Sequence, residues 1–129
     1  MSNQKIPFGI GTDIIDIDRF KSKPLEKNLN FYKKIFSDSE IKYCKKFRSS
    51  YEHFAGKFAI KESLIKAISE KISFSEIITS HSKNKPKILL KNKLNNKYDF
   101  LVSVSHEKNF AIAFVIAFKN ENTTLHSEN

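Results

Sequence analysis

The stretch that most constrains this chain runs from Phe54 to Ile68, Phe-Ala-Gly-Lys-Phe-Ala-Ile-Lys-Glu-Ser-Leu-Ile-Lys-Ala-Ile. It reads as a helix whose charges are misplaced for an ordinary surface helix. At about 100° per residue, Phe54, Phe58, Ile65, Ile68 and Ile72 form one apolar stripe. Lys61 projects from the middle of that stripe, Glu62 borders it, and Lys66 follows Glu62 by one turn. A carboxylate at a core edge is costly unless positive charge meets it. Two lysines and a glutamate against apolar surface therefore suit a metal ion and phosphate. The plainer alternative is a solvated Glu62–Lys66 pair at i, i+4, with Lys61 snorkelling out of the stripe.

A second acid follows a glycine-rich strand. Phe8 to Asp13 places Phe8, Ile10 and Thr12 on one face, and Gly9 and Gly11 leave the other bare for close backbone approach. Taken alone, Asp13 is a strand-end or capping residue. Asp16 or Asp18 can cap a short helix that meets Pro24, and Leu25 to Phe36 is helical in pattern. Ser37 to Glu40 and Ser49 to Glu52 are capping-box signatures. The first opens a helix through about Phe47; the second opens the helix that carries Glu62 and ends near Lys71. Glu76 to His81 and Lys87 to Leu90 read as strands around a turn at Ser82 to Pro86. Phe100 to Ser105 and Phe110 to Phe118 form the clearest β pair. In the latter, Phe110, Ile112, Phe114, Ile116 and Phe118 share one side, and Ala111, Ala113, Val115 and Ala117 the other. Both sides are apolar, so burial on both is expected, the alanine side suiting a helix or another subunit.

The formal charge of +9, from 23 Lys+Arg against 14 Asp+Glu, attracts anions: nucleic acid, acidic membrane, phosphorylated cofactors or acidic proteins. The lone Cys44 rules out an internal disulfide, and no Cys/His spacing suits zinc. Its helical setting makes it structural rather than nucleophilic. The longest apolar run, Phe110 to Phe118, is far too short to span a membrane, and the N-terminus lacks a signal-peptide apolar region. A cytoplasmic protein without a membrane partner is expected. At 129 residues the chain reads as one domain over 1–118, followed by a polar tail, 119–129, expected to fray or be disordered. It is small for an enclosed two-substrate site, so a site shared between subunits is expected.

Together these segments resemble the holo-acyl-carrier-protein synthases, the small class of 4'-phosphopantetheinyl transferases. The family's Gly-Ile-Gly-x-Asp-Ile falls on Gly9 to Ile14. Its Phe-Ala-x-(Arg/Lys)-(Phe/Trp)-Ala-x-Lys-Glu-x-x-x-Lys-Ala falls on Phe54 to Ala67, and its Ser-(Val/Ile)-(Ser/Thr)-His on Ser103 to His106. The three lie in the family's order, and the likeness spans roughly residues 6 to 118. The resemblance implies an α+β fold, a small antiparallel sheet packed with a long helix and shorter helices. It implies Mg²⁺-dependent transfer of 4'-phosphopantetheine from coenzyme A to a serine of apo acyl carrier protein, in fatty acid biosynthesis, with release of adenosine 3',5'-bisphosphate. Asp13 and Glu62 would hold the metal, and Lys66 would sit at the pyrophosphate. His106 would contact phosphate. Lys57 stands where Arg is commoner, so charge is kept but bidentate contact is lost. Lys61 would contact phosphate or pair with Glu62 or Asp13. Arg19, with Lys21, Lys23 and Lys27, would serve the cofactor or the acidic carrier.

The larger class has a third acid where this chain has Ile15. The departure favours the small class, a homotrimer with sites between subunits. Whether Asp13 and Glu62 meet within one chain or across an interface stays open. A basic nucleic-acid-binding module would explain the charge and the aromatics, but not Asp13 and Glu62, and its signatures are absent. A catalytically silent relative is disfavoured by the presence of both acids and Lys66.

Overall fold

The computed structural model describes residues 7–120. Strand β1 (Phe8–Asp16) leads through a one-turn helix α1 (Asp18–Lys21) into helices α2 (Leu29–Ile35), α3 (Asp38–Lys45) and the long α4 (Ser50–Ala67). Strands β2 (Ile77–Ser82) and β3 (Lys85–Leu90) form a separate hairpin, and β4 (Tyr98–Glu107) and β5 (Phe110–Lys119) a second. The three-stranded sheet has the order β1-β5-β4, antiparallel throughout, so the first strand closes against the last. Both hairpins turn on residues in the left-handed region, Lys83 and Asn84 (φ 53° and 65°) and Lys108 (φ 55°). That geometry matches the twist of paired strands.

The inner side of the sheet is made of small residues. Ala111, Ala113, Val115 and Ala117 of β5 are buried, as is Gly11 of β1. A Cβ on Gly9 would overlap the Ala67 carbonyl oxygen, and one on Gly11 that of Ser63. Helix α4 lies so close to the sheet that only glycine fits at both crossings. The far side of α4 buries Phe54 and Phe58 against Phe20, Tyr32 and Phe36, with Tyr32 and Phe54 ring centres 4.8 Å apart. The Tyr32 hydroxyl donates to the Lys23 carbonyl (2.7 Å), which satisfies the one polar atom of that cluster's tyrosine.

Several expectations need correction. The outer side of β5 is not buried in the single chain: Phe110, Ile112, Phe114 and Phe118 are exposed, beside Ile10 and Ile14 of β1. The chain has one long helix and places it on the alanine side, so nothing within the described residues covers the aromatics. The helical pattern at Leu25 to Phe36 is broken at Asn28 (φ −133°, ψ 33°), whose amide donates to the Pro24 carbonyl. A local side-chain bond has displaced the helix there. Ser37 and Glu40 do form a reciprocal capping box, but Ser49 precedes α4 without capping it. Helix α4 ends at Ala67, and Ile68 is extended (φ −116°, ψ 157°), so Ile68 and Ile72 leave the helical stripe. The expected tail from residue 119 lies outside the described residues beyond Asn120; Lys119 belongs to β5.

Candidate active site

The β1–α4 crossing brings Asp13 to Lys66. Gly9 sits over Ala67 and Gly11 over Ser63, so the strand and the helix run in opposite directions. Two strand residues advance about 6.6 Å and four helix residues about 6 Å. The two elements therefore keep step, which sets Asp13 beside Ala59, one turn before Glu62, and the long Lys66 side chain reaches back to it. The Lys66 ammonium donates to the Thr12 carbonyl (3.0 Å) and lies 3.4 Å from Asp13 Oδ1. All of this occurs within one chain, so Asp13 and Lys66 meet without a neighbouring copy. The Asp13 side chain is 18% exposed and that of Lys66 53%, so the face is open. Glu62 is half-buried, and no hydrogen bond or ion pair reaches its carboxylate among the described residues.

That pair of acids fits Mg²⁺. The donors are hard carboxylate oxygens from two separate elements, open positions remain for water and phosphate oxygens, and a cation already stands beside Asp13 in the form of Lys66. Among the described residues no group of three or more His, Cys, Asp or Glu gathers, so two acids are what the protein would contribute.

The other side of α4 is different. Lys61 is fully buried and donates to the Ile35 carbonyl (2.6 Å), Glu40 Oε1 (2.8 Å) and the Phe74 carbonyl (3.1 Å). All three of its N–H donors are used. Lys61 is thus withdrawn as a phosphate contact, and its acid partner is Glu40 rather than Glu62 or Asp13. Lys57 is buried as well, donating to Thr79 Oγ1 (2.9 Å) and the Thr79 carbonyl (3.3 Å), with its ammonium 4.7 Å from the Tyr43 ring centre. Burial pulls its pKa down. In this chain Lys57 faces α3 and β2, away from Asp13. Burial likewise pushes the Cys44 thiol up to about 12, in keeping with a structural cysteine.

His106 lies within β4, paired with Ala111, and not after the strand as expected. Its Nδ1 is 3.8 Å from Glu52 Oε2. Asp13 pairs with Ala113 on the opposite edge of β5. Two strand spacings, about 10 Å, separate the β4 and β1 backbones, so His106 does not join Asp13 and Lys66 in one chain. Arg19 is exposed on α1 with its guanidinium 4.9 Å over the Phe58 ring. The joining of Glu40 to Lys61 and Thr79 escaped the sequence reading. The capping signature located Glu40, but its bond to Lys61, 21 residues away, has no sequence trace.

Known proteins share the sequence pattern and the fold. Residues 9–115 match the family described as the 4'-phosphopantetheinyl transferase superfamily. The holo-[acyl-carrier-protein] synthase of Ehrlichia chaffeensis is 38% identical over 118 residues, covering 85% of this chain and 95% of its own. The crystal structure of the Helicobacter pylori holo-[acyl-carrier-protein] synthase in complex with coenzyme A superposes with a TM-score of 0.71 at 35% identity, covering 84% of this chain and 98% of that one. The Bacillus anthracis synthase, in complex with CoA (3',5'-ADP), gives 0.69 at 30% identity over 87% of this chain and 96% of that one. The chain belongs to the 4'-phosphopantetheinyl transferase superfamily, within its holo-[acyl-carrier-protein] synthase family.

Proposed function

We propose that the open β1–α4 face transfers 4'-phosphopantetheine from coenzyme A to a serine of apo acyl carrier protein, a step serving fatty acid biosynthesis in the cytoplasm. The observation that carries this reading is the meeting of Asp13 and Lys66, with Glu62, half-buried and without a partner among the described residues, one turn before Lys66 on α4. The serine oxygen bonds to the β-phosphorus, and the bond from that phosphorus to the bridging oxygen breaks. The electron pair leaves with adenosine 3',5'-bisphosphate. Lys66 offsets the charge that grows on the bridging oxygen. The serine proton passes to a water held by a carboxylate. Asp13 and Glu62 would hold Mg²⁺, which when bound supplies charge neutralisation at the pyrophosphate.

The exposed apolar outer sheet face supports an assembled state. Resemblance, rather than the residues, selects three copies. The separation of His106 from Asp13 in one chain supports a site to which a neighbouring copy contributes His106. Arg19, Lys21, Lys23 and Lys27 are exposed on and after α1, where they can steer an acidic carrier.

The direct test weighs an apo carrier protein before and after incubation with coenzyme A, Mg²⁺ and the enzyme. A mass gain of one phosphopantetheine is expected, and an unchanged carrier would sink the reading. For the shared site, Asp13→Ala chains mixed with His106→Ala chains should regain part of the activity. Asp13→Ala mixed with Glu62→Ala separates the two arrangements of the acids: acids drawn from one chain regain no activity, and acids facing each other across the interface regain part.

A further inference from the structure

Glu40 is buried and accepts four hydrogen bonds, yet it lies away from the Asp13 face. It is 1% exposed. Oε1 accepts from the Ser37 amide (2.8 Å) and from Lys61 (2.8 Å); Oε2 accepts from the Thr79 amide (2.8 Å) and hydroxyl (2.6 Å). Lys61 in turn binds carbonyls at the end of α2 and in the turn before β2. Lys57, one helical turn earlier, holds Thr79 from the other side. One carboxylate thus joins α3, α4 and the β2–β3 hairpin.

Desolvating two charges is expensive, and apolar pairs of similar volume often fold as well or better. Stability alone therefore gives little reason for an ion pair here. Its neighbour in the chain gives another. Lys61 and Glu62 are consecutive on α4, and their side chains diverge by about 100°. Anchoring Lys61 on one side fixes the direction in which Glu62 leaves the helix. A turn of α4 by about 20° would carry a side-chain tip, about 5 Å from the axis, through about 2 Å. A misplacement of about 1 Å can cost a reaction about 10²-fold.

We propose that Glu40 is a positioning residue: through Lys61 it sets the rotation of α4 that presents Glu62 beside Asp13, and through Thr79 it ties the β2–β3 hairpin to the same setting. The proposal rests on the reading of Asp13 and Glu62 as the metal-holding acids.

The decisive variant is Glu40→Gln/Lys61→Met, which removes both charges and roughly keeps the shape. Melting temperature, Mn²⁺ binding by titration in the absence of substrate, and steady-state transfer are measured on the full chain. The expected result is a melting temperature within a few degrees of the parent, Mn²⁺ affinity weakened at least threefold and kcat lowered at least tenfold, with KM for carrier protein within about twofold. A stable double variant with parental Mn²⁺ affinity and kcat overturns the proposal, leaving the pair a purely structural tie. If the double variant does not fold, Thr79→Val carries the test. It removes one donor to Glu40, and unchanged Mn²⁺ affinity and kcat overturn the proposal there too. A parent enzyme that binds Mn²⁺ but modifies no carrier, with weaker Mn²⁺ binding in the variant, would sink the transferase reading while the positioning role stands.

Discussion

Helix α4 carries two sets of charges on opposite sides, and they differ in every physical respect. Toward the α2–α3 side, Lys57 and Lys61 are enclosed, and their ammonium groups meet acceptors at 2.6–3.3 Å. Toward β1, Lys66 is half in solvent and meets Asp13 only loosely at 3.4 Å, while Glu62 has no partner among the described residues. The first set is enclosed and engaged: Lys61 uses all three donors, and Lys57 uses two and stands against the Tyr43 ring. The second is unfinished, and carboxylates left so near an apolar core are what a metal and a phosphate would complete. The lesson is that charge on a buried helix speaks of function only where its hydrogen bonding is incomplete.

The harshest way to break the contrast is Lys61→Ala. It leaves Glu40 charged and buried, and removing one partner of a buried pair costs about 3–5 kcal/mol. Urea unfolding should show most of that loss. A cost below about 1 kcal/mol would mean that water reaches Glu40 and that the closed side is not closed.

The open side should respond in the opposite sense. Asp13→Ala and Glu62→Ala should each fold with nearly parental urea midpoints yet lose about 10²–10³-fold in turnover, with weaker Mg²⁺-dependent binding of coenzyme A. Lys66→Ala should lose on the order of 2–4 kcal/mol of transition-state stabilisation while carrier affinity holds. Near-normal turnover in any of the three would remove that residue from the site.

Acid sharpens the comparison further. Burial opposes ionisation of Glu40, but the Lys61 ammonium and the hydrogen bonds from Lys61, Thr79 and Ser37 outweigh it, holding its pKa below the ordinary 4.5. A carboxyl lowered in the folded state contributes stability in full above its unfolded pKa and loses it as pH falls through the folded value. Stability should therefore drop below about pH 4.5, and Glu40→Gln should flatten that part of the profile. Glu70 adds to the same limb. Burial would raise it, but bonds from Lys97 and Tyr98 at 2.6 Å bring it down to about 2. An acid limb that is the same in parent and Glu40→Gln would assign the whole effect to Glu70 and other acids.

The smallest effect is expected at the surface. Arg19→Glu/Lys23→Glu should raise KM for carrier protein several-fold at low salt, and the difference should shrink as salt is added. A carrier KM that is flat across ionic strength would remove α1 from the docking surface.

Much of this was legible in the chain. Alternation placed β4 and β5, the Ser37–Glu40 box placed the start of α3, and Gly9 and Gly11 announced a close crossing. These signals are local, carried by neighbours within a few residues. The motifs that hold Asp13 and Lys66 were legible too, and the structure brings those two residues together. What needed the tertiary structure was which charge faces which side. Periodicity puts Lys61 in the apolar stripe and Lys66 outside it, but it does not name Glu40 as the partner of the one or Asp13 as that of the other. That choice depends on where α3, β2 and β1 pack, over separations of 21 residues for Glu40–Lys61 and 53 for Asp13–Lys66. The same holds for β5, whose pattern made both faces apolar. Only the packing of α4 on the alanine side decided which face a single chain buries and which it leaves bare. Local sequence determines the elements and their chemistry; the burial that turns one lysine into architecture and another into a site is a property of the assembled core.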